Sequence, residues 1–252
     1  MLKTALSKRS AKVKIDILTL FPEMFQGPLS ESLLKKAQQK GLLSFNIANI
    51  RDFTSDKHKT ADDTPYGGGA GMVMKPEPIA SAISKLRTPN SKLILMCPTG
   101  RLLTQEKIMA LAKQEHLVIL CGHYEGVDER VREMVDEEIS IGDYVLTGGE
   151  LPAMVLVDAI ARHIPGVVKE EESVQKDSFY NGLLDHPSYT KPEEFESKKV
   201  PDVLLSGHHA EIERWRRKAA LKLTLQRRPD LLAKAELSKK DKEILNGIFQ
   251  DG

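Results

Sequence analysis

Two five-residue apolar runs constrain the fold of this chain more than any other feature. Residues 93–97 and 117–121 contain no polar side chain other than a terminal cysteine, and they end at Pro98-Thr99-Gly100 and Gly122. Short apolar runs bounded by turn residues are typical of strands that are buried on both faces. Helical patterns alternate with them, such as the spacing of Ile79, Ile83 and Leu86. The first two thirds of the chain therefore predict an α/β layer with a parallel sheet.

The character of the sequence changes after Pro165-Gly166. Residues 169–176 are polar and charged and show no buried face, which predicts a linker. Residues 177–252 show helical patterns and no strong strand. We therefore expect a basic extension over 1–12, an α/β domain over 13–168, a linker over 169–176 and a small, mainly helical domain over 177–252.

Composition narrows the possible functions. Lys and Arg number 37 against 36 Asp and Glu, so the net charge of +1 gives no overall attraction to nucleic acid and any RNA site must come from local clustering. The two cysteines, Cys97 and Cys121, show no C-x-x-C spacing, which excludes a disulfide scaffold and a cysteine-rich zinc module. No apolar stretch reaches about 18 residues without a charge or a proline. We expect a soluble cytoplasmic protein with no membrane partner.

A glycine-rich stretch, residues 67–71, admits two interpretations. It is not a P-loop, because no Lys-Ser/Thr follows, and it lacks the G-x-G-x-x-G spacing of dinucleotide sites. It either turns the chain or lets backbone N–H groups approach a phosphate or a base. The second interpretation makes Gly67, Gly68 and Gly69 candidates for RNA contact.

Three further loops, residues 98–100, 122–126 and 141–152, each follow an apolar segment. Ligands of open α/β sheets bind at the carboxyl ends of the strands. Each loop alone is compatible with a simple turn, but three loops rich in Gly and Pro favour one cleft walled by backbone. Such a cleft suits a flat heterocycle.

Four segments carry a family resemblance. They are Tyr-Gly-Gly-Gly-Ala-Gly-Met (66–72), Glu-Gly-Val-Asp-Glu-Arg (125–130), Ile-Gly-Asp-Tyr-Val-Leu-Thr-Gly-Gly-Glu-Leu-Pro (141–152) and Asp-Ser-Phe-Tyr-Asn-Gly-Leu-Leu-Asp-His-Pro-Ser-Tyr-Thr-Lys-Pro (177–192). The chain resembles the bacterial tRNA (guanine(37)-N1)-methyltransferases of the SPOUT class from residue 13 to its end. Cys97 departs from the small polar residue of that family, which we expect to alter packing near the cofactor and not the chemistry.

The resemblance implies a trefoil-knotted parallel-sheet domain, an obligate homodimer with active sites built across the subunit interface, and S-adenosylmethionine as methyl donor. Gly122 and residues 141–146 would contact adenine and ribose. The predicted cofactor-binding residues are Pro98, Gly100, Gly122, Tyr124, Glu125, Gly126, Ile141, Gly142, Asp143, Tyr144, Val145, Leu146, Gly148, Gly149 and Pro152.

The resemblance also implies a catalytic pair. Guanine N1 carries a proton that a general base must remove, and negative charge then builds towards O6. By the family match, Asp177 is the base and Arg162 the stabilising cation. From the residues alone, Asp177 also suits a helix cap and Arg162 an ion pair with Asp158. Magnesium is expected from the family. Its ligands are open, with Glu125 as one candidate.

Contact with the tRNA anticodon stem-loop is predicted for the second domain. Between residues 211 and 234 eight basic residues face only three acidic ones, although the whole chain is balanced. Arg214, Arg216, Arg217 and Lys218 are the candidates, and a solvated helix face is the alternative. Trp215 suits either stacking on a base or a place in the core.

Methylation of N1 of guanosine 37 is thus the leading hypothesis. Two alternatives stay open at this point. One is ribose 2′-O-methylation by a SPOUT enzyme, which would not require Asp177. The other is a non-catalytic RNA-binding dimer that keeps the cofactor loops for structure.

Overall fold

A computed structural model describes residues 13–250, so the predicted basic extension over 1–12 lies outside the described residues. The chain divides into two compact units between residues 171 and 172, and each is described by itself. The predicted linker over 169–176 contains this division.

The first unit is built on a parallel five-stranded sheet of order β2-β1-β6-β5-β7. Its strands, with a short antiparallel pair β3-β4, are β1 Val13–Thr19, β2 Leu43–Asn49, β3 Asp62–Asp63, β4 Val73–Met74, β5 Ser91–Leu102, β6 His116–Cys121 and β7 Glu137–Ser140. Its helices are α1 Gln26–Leu29, α2 Ser32–Gln39, α3 Pro76–Leu86, α4 Gln105–Leu111, α5 Glu129–Arg132 and α6 Glu150–Ala161, with 3₁₀ turns at Pro22–Phe25 and Ile50–Phe53.

The two apolar runs form the neighbouring strands β5 and β6, as predicted. Successive side chains of a strand point to opposite faces. Ile119 accordingly packs in one core cluster with Leu156 of α6, whereas Leu120 packs in a second cluster with Ile79 of α3. Helices therefore cover both faces of the sheet, which is why the apolar runs within these two strands contain no polar residue other than the terminal cysteine. The predicted α/β class is confirmed.

Helix α6 is apolar on more than its buried face. Leu156 and Ile160 are fully buried, yet Leu151 and Val155 on the same helix are each 48% exposed. Between residues 13 and 250, no helix has the combined length and apolar composition that crossing a membrane requires.

A buried polar cluster joins three neighbouring strands of the sheet. Asp16 of β1 is fully buried and accepts hydrogen bonds from Asn46 of β2 at 2.7 Å and from Lys14 at 2.7 Å. His116 of β6 lies 2.6 Å from the same carboxylate. Burial by itself raises the pKa of Asp16, but these three hydrogen bonds outweigh burial and hold that pKa below its ordinary value.

The second unit is mainly helical, as predicted. Its elements are α7 Glu171–Lys176, β8 Glu194–Phe195, β9 Lys198–Lys199, α8 Asp202–Leu205, α9 His209–Arg227, α10 Pro229–Leu232 and α11 Lys239–Gln250. The strands β8 and β9 form a two-residue hairpin, turned by Glu196 and Ser197 in left-handed conformations. Leu183, Leu221 and Leu245 form the centre of a small core.

The predicted linker is not wholly irregular. Residues 171–176 form helix α7, and Val174 on it is only 7% exposed. The expectation of a segment with no buried face is therefore wrong at this position. A single apolar residue among charged ones gives no periodicity, and burial of Val174 is therefore not evident from the pattern.

Candidate active site

A cavity of about 480 Å³ opens beside the ends of β6 and β7. Between them in the sheet lies β5, whose pairing with β7 shifts register between Met96 and Arg101. Residues 98–100, predicted as a loop after the strand, therefore form an irregular part within β5. This part and the two loops predicted at 122–126 and 141–152 supply most of the cavity wall. We call this cavity the cleft.

The cleft brings together all of the predicted cofactor-binding residues except Gly100 and Asp143. Asp143 is exposed in a turn. Gly100 lies within β5, where an added Cβ would come within 2.5 Å of the backbone of Glu138 and Ile139. Glycine at position 100 therefore serves the close packing of β5 on β7. The members that line the cleft are Pro98, Gly122, Tyr124, Glu125, Gly126, Ile141, Gly142, Tyr144, Val145, Leu146, Gly148, Gly149 and Pro152.

The loop after β7 lies directly on the end of β6. The N–H of Gly149 donates to the carbonyl of Gly122 at 2.7 Å, and His123 pairs with Gly148 in an isolated antiparallel bridge. A Cβ at Gly149 would come within 2.8 Å of the Cα of Cys121. Only glycine permits so close an approach of two backbones, so the paired glycines of the motif set the depth of the cleft.

A buried carboxylate, that of Glu150, lies beside the point where these two loops meet. Glu150 is 1% exposed and accepts a hydrogen bond from the hydroxyl of Thr19 at 2.7 Å, which ties the first turn of α6 to the end of β1. Its other oxygen lies 3.6 Å from Nδ1 of His123. A side chain at Gly148 would occupy the space between His123 and Glu150. His123 therefore lines the cleft in an orientation fixed by its neighbours.

Several polar residues of the wall were not predicted. Arg132 donates to the hydroxyl of Thr99 at 2.6 Å and lies 3.4 Å from Glu138. The thiol of Cys97 donates to Glu138 at 3.2 Å, and burial raises the pKa of this thiol. Arg132 lies two residues after the 125–130 motif, and this closeness is the sequence feature that could have identified it as a cleft residue. His123, Glu129, Ser140 and Thr147 also line the cleft.

The glycine-rich loop adjoins the cleft. The N–H of Glu125 donates to the carbonyl of Met72 at 3.0 Å, and that of Met74 donates to Gly126 at 2.9 Å. Beyond this pairing, Gly67, Gly68 and Gly69 are exposed with φ of +86°, +76° and +124°, and an added Cβ at any of them would touch nothing. Glycine is thus required there by conformation and not by crowding.

The described residues do not form a site for the expected magnesium ion. Among the described residues no three His, Cys, Asp or Glu side chains cluster in a way that would hold a metal ion. The Glu125 carboxyl packs against Gly71 instead. The donor set therefore does not fit a dedicated magnesium centre.

The two predicted catalytic residues belong to different units. Arg162 is half-buried and follows α6, with its N–H bonded to the carbonyl of Asp158 at 3.4 Å. Asp177 is half-buried and follows α7, with its N–H bonded to Val174 at 3.3 Å. Residues 178–183 form turns, so no helix begins at Asp177 and the cap interpretation is wrong.

The basic residues of α9 divide into two groups. Arg214 and Lys218 are exposed and line a groove of about 1360 Å³ together with Lys234. Arg217 lines the same groove but binds Asp241 through two hydrogen bonds of 2.7 and 2.9 Å. This pair, with Ser238, holds the pKa of Asp241 far below its ordinary value. Arg217 therefore joins α9 to the start of α11, and its charge is already neutralised.

Sequence comparison places this cleft in a known family. Residues 13–234 match the family model of tRNA (Guanine-1)-methyltransferase TrmD. A tRNA (guanine-N(1)-)-methyltransferase of Desulforamulus reducens is 60% identical over 92% of this chain and 94% of its own. The protein of the same name from Dictyoglomus turgidum is 56% identical over 95% and 98%, and that of Geobacter sp. strain M21 is 59% identical over 92% and 94%. The chain therefore belongs to the tRNA (guanine-N1)-methyltransferase family.

Proposed function

We propose that this protein transfers a methyl group from S-adenosylmethionine to N1 of guanosine 37 of tRNA, next to the anticodon. The observation that carries the proposal is the glycine-rich cleft beside β5, β6 and β7 in a chain of this family. The names of the relatives support a tRNA guanine as the methyl acceptor.

The cleft suits the adenosine part of the methyl donor. Its lining includes five glycines, at which backbone N–H and C=O groups can reach the edge of a purine, and Leu146 and Pro152 would add apolar contact. Arg132 and Glu138 would interact with the polar end of the molecule. S-adenosylmethionine, when bound, supplies a methyl group on a positively charged sulfur that leaves as the neutral thioether.

Asp177 and Arg162 would carry the chemistry on the guanine. The Asp177 carboxylate would accept the N1 proton, which frees the N1 lone pair to form the new bond to the methyl carbon. Arg162 would stabilise the negative charge that builds on O6 meanwhile. The match of residues 13–234 to the family model includes both positions.

Association into a homodimer is part of the proposal. Leu151 and Val155, which lie one turn apart on α6, are each 48% exposed and offer an apolar face for a second copy. A second copy would bury this surface and complete each active site. The trefoil knot is proposed with it, supported by the close crossing of Gly149 over Gly122.

The tRNA would contact both units. Exposed Arg214 and Lys218 on α9 would bind phosphates, and the open loop at Gly67, Gly68 and Gly69 would approach the anticodon loop through backbone N–H groups. Such a substrate requires a cytoplasmic location.

The deciding experiment incubates the protein with tRNA and S-adenosylmethionine labelled in the methyl group, then digests the RNA to nucleosides. Label in 1-methylguanosine, lost when guanosine 37 is replaced, is the expected result. Label in 2′-O-methylated nucleosides would establish the ribose reaction instead. No label with bound tRNA would establish a non-catalytic RNA-binding protein.

A further inference from the structure

A cavity of about 390 Å³ in the second unit shares no lining residue with the cleft. Its volume lies within the range of roughly 300–1,000 Å³ that is usual for small-ligand sites. Three aromatic side chains, His186, Tyr189 and Trp215, line it, and so do two cations, Lys191 and Arg216. We call this cavity the aromatic pocket.

The rings of the aromatic pocket are inclined to one another. The ring of Tyr189 lies 6.2 Å from that of Trp215 at 60°, and that of His186 lies 6.5 Å from Trp215 at 61°. Inclined rings are not stacked in parallel, so neither pair forms a closed stack. Tyr189 is 50% exposed. The ring of Tyr189 therefore has a neighbour that restricts it and leaves half of its surface for a flat group.

A polar donor in the same wall lacks a partner. Arg216 donates from Nη1 to Glu213 at 2.6 Å, but its Nε is buried and has no hydrogen-bond partner among the described residues. A buried N–H group without an acceptor is unfavourable, and a ligand oxygen or ring nitrogen would remove that penalty. The aromatic pocket therefore combines an open ring face, an unused donor and a second cation, Lys191.

We propose that the aromatic pocket binds one unstacked nucleobase of the tRNA. Tyr189 stacks on the base, Trp215 forms the back wall, Arg216 donates to the edge of the base and Lys191 contacts a flanking phosphate. Aromatic faces combined with cations are the means by which proteins hold single-stranded RNA, because every base offers a π-face. The inference rests on the proposed function for the identity of the RNA. It assigns base recognition, and not only phosphate contact, to the second unit.

The chain contains one tryptophan, so intrinsic tryptophan fluorescence reports on the aromatic pocket alone. The full-length protein is titrated with a tRNA anticodon stem-loop, and quenching of Trp215 is expected. Tyr189→Leu removes the stacking face and should weaken binding about 5- to 150-fold, while Tyr189→Phe keeps it and should bind as the wild type does. Phe249→Ala, which removes an aromatic residue that is 65% exposed on α11, is the matched control and should change nothing.

A second measurement uses only the unmodified protein and is therefore independent of any folding defect. Abasic nucleotides are placed one at a time along the loop of the RNA, and one position should abolish the quenching. Tight binding of the RNA with no quenching, or equal quenching by every abasic RNA, would overturn the inference. Formation of 1-methylguanosine is measured in the same samples. Methylation without base-dependent quenching would reject base binding in the aromatic pocket and keep the proposed function. Base-dependent quenching without methylation would reject the proposed function and keep base binding in the aromatic pocket.

Discussion

Gly149 and Gly122 are joined by a backbone hydrogen bond of 2.7 Å at which two loops of the cleft cross. Gly149 has an ordinary φ of −79°, so its lack of a side chain matters for space and not for conformation. We predict that Gly149→Ala pushes the loop after β7 off the end of β6. Affinity for S-adenosylmethionine should fall at least tenfold, and the overpacking should reduce the free energy of unfolding by about 1–3 kcal/mol. Calorimetric titration and denaturant unfolding measure the two effects.

Gly247→Ala is the matched control, because an added Cβ there meets nothing within 4 Å and the residue lies inside helix α11. It should leave cofactor affinity unchanged and stabilise the helix by about 0.5–1 kcal/mol. Equal cofactor affinity in both alanine variants would contradict the crossing as a determinant of the cleft.

Asp177→Asn tests the proposed general base. The amide keeps the shape of the side chain but accepts no proton, so the single-turnover rate of methyl transfer should fall about 10²–10⁴-fold. Affinities for tRNA and S-adenosylmethionine should change little, because the lost interaction acts mainly in the transition state of proton transfer. Raising the pH should partly restore the rate, since hydroxide ionises guanine without help. A wild-type rate in this variant would remove Asp177 from the mechanism.

Complementation between two inactive variants tests the shared active site. Asp177→Ala removes the proposed base, and a bulky residue at Gly142, whose φ is +156° and which lies under the ring of Tyr144, blocks the cleft. If each site takes residues from two subunits, mixed dimers of these chains should regain part of the wild-type activity. Purified heterodimers with no activity would show that each subunit works alone.

The two groups of cations on α9 should respond differently to charge reversal. Arg214→Glu should weaken tRNA binding, reduce the slope of log affinity against log salt concentration by about 1 and leave stability unchanged. Arg217→Glu should lower the free energy of unfolding by about 1–3 kcal/mol, because Asp241 would lose its partner and face a like charge. Filter binding over a salt series and urea unfolding separate the two. If the two variants lost RNA affinity equally at equal stability, Arg217 would belong to the surface that binds RNA.

The lowered pKa of Asp241 predicts that the free energy of unfolding changes at acid pH. Its pKa is lowered by Arg217 and Ser238, so its contribution is complete above the unfolded pKa of about 3.9 and is lost as the pH falls towards the lower folded pKa. The gap in unfolding free energy between the wild type and Asp241→Asn should therefore shrink steadily from pH 5 down to pH 2. Urea unfolding followed by Trp215 fluorescence reads this unit directly. A gap that does not change with pH would show that the carboxylate charge contributes nothing.

The apolar pattern predicted the centre of the fold because residues 93–97 of β5 and 117–121 of β6 are covered on both faces and contain no polar interruption. The cleft was predictable in the same way, since strand ends and glycines are visible in sequence. Other features depend on pairs of residues that are distant in the chain. Arg217 resembles the other cations of α9 until Asp241 comes beside it, and Gly100 resembles a cleft residue until β7 packs on it. The single buried residue of α7, Val174, has no periodic neighbours to reveal it.

The cluster around Asp16 has a consequence for how this protein tolerates change. It fixes the neighbours of β1 through Asn46 of β2 and His116 of β6, and none of these three side chains lines the cleft. Strand order and the proposed binding of the methyl donor thus depend on separate sets of side chains within one sheet. Substitutions that alter the stability of the sheet at this cluster can therefore leave the lining of the cleft unchanged.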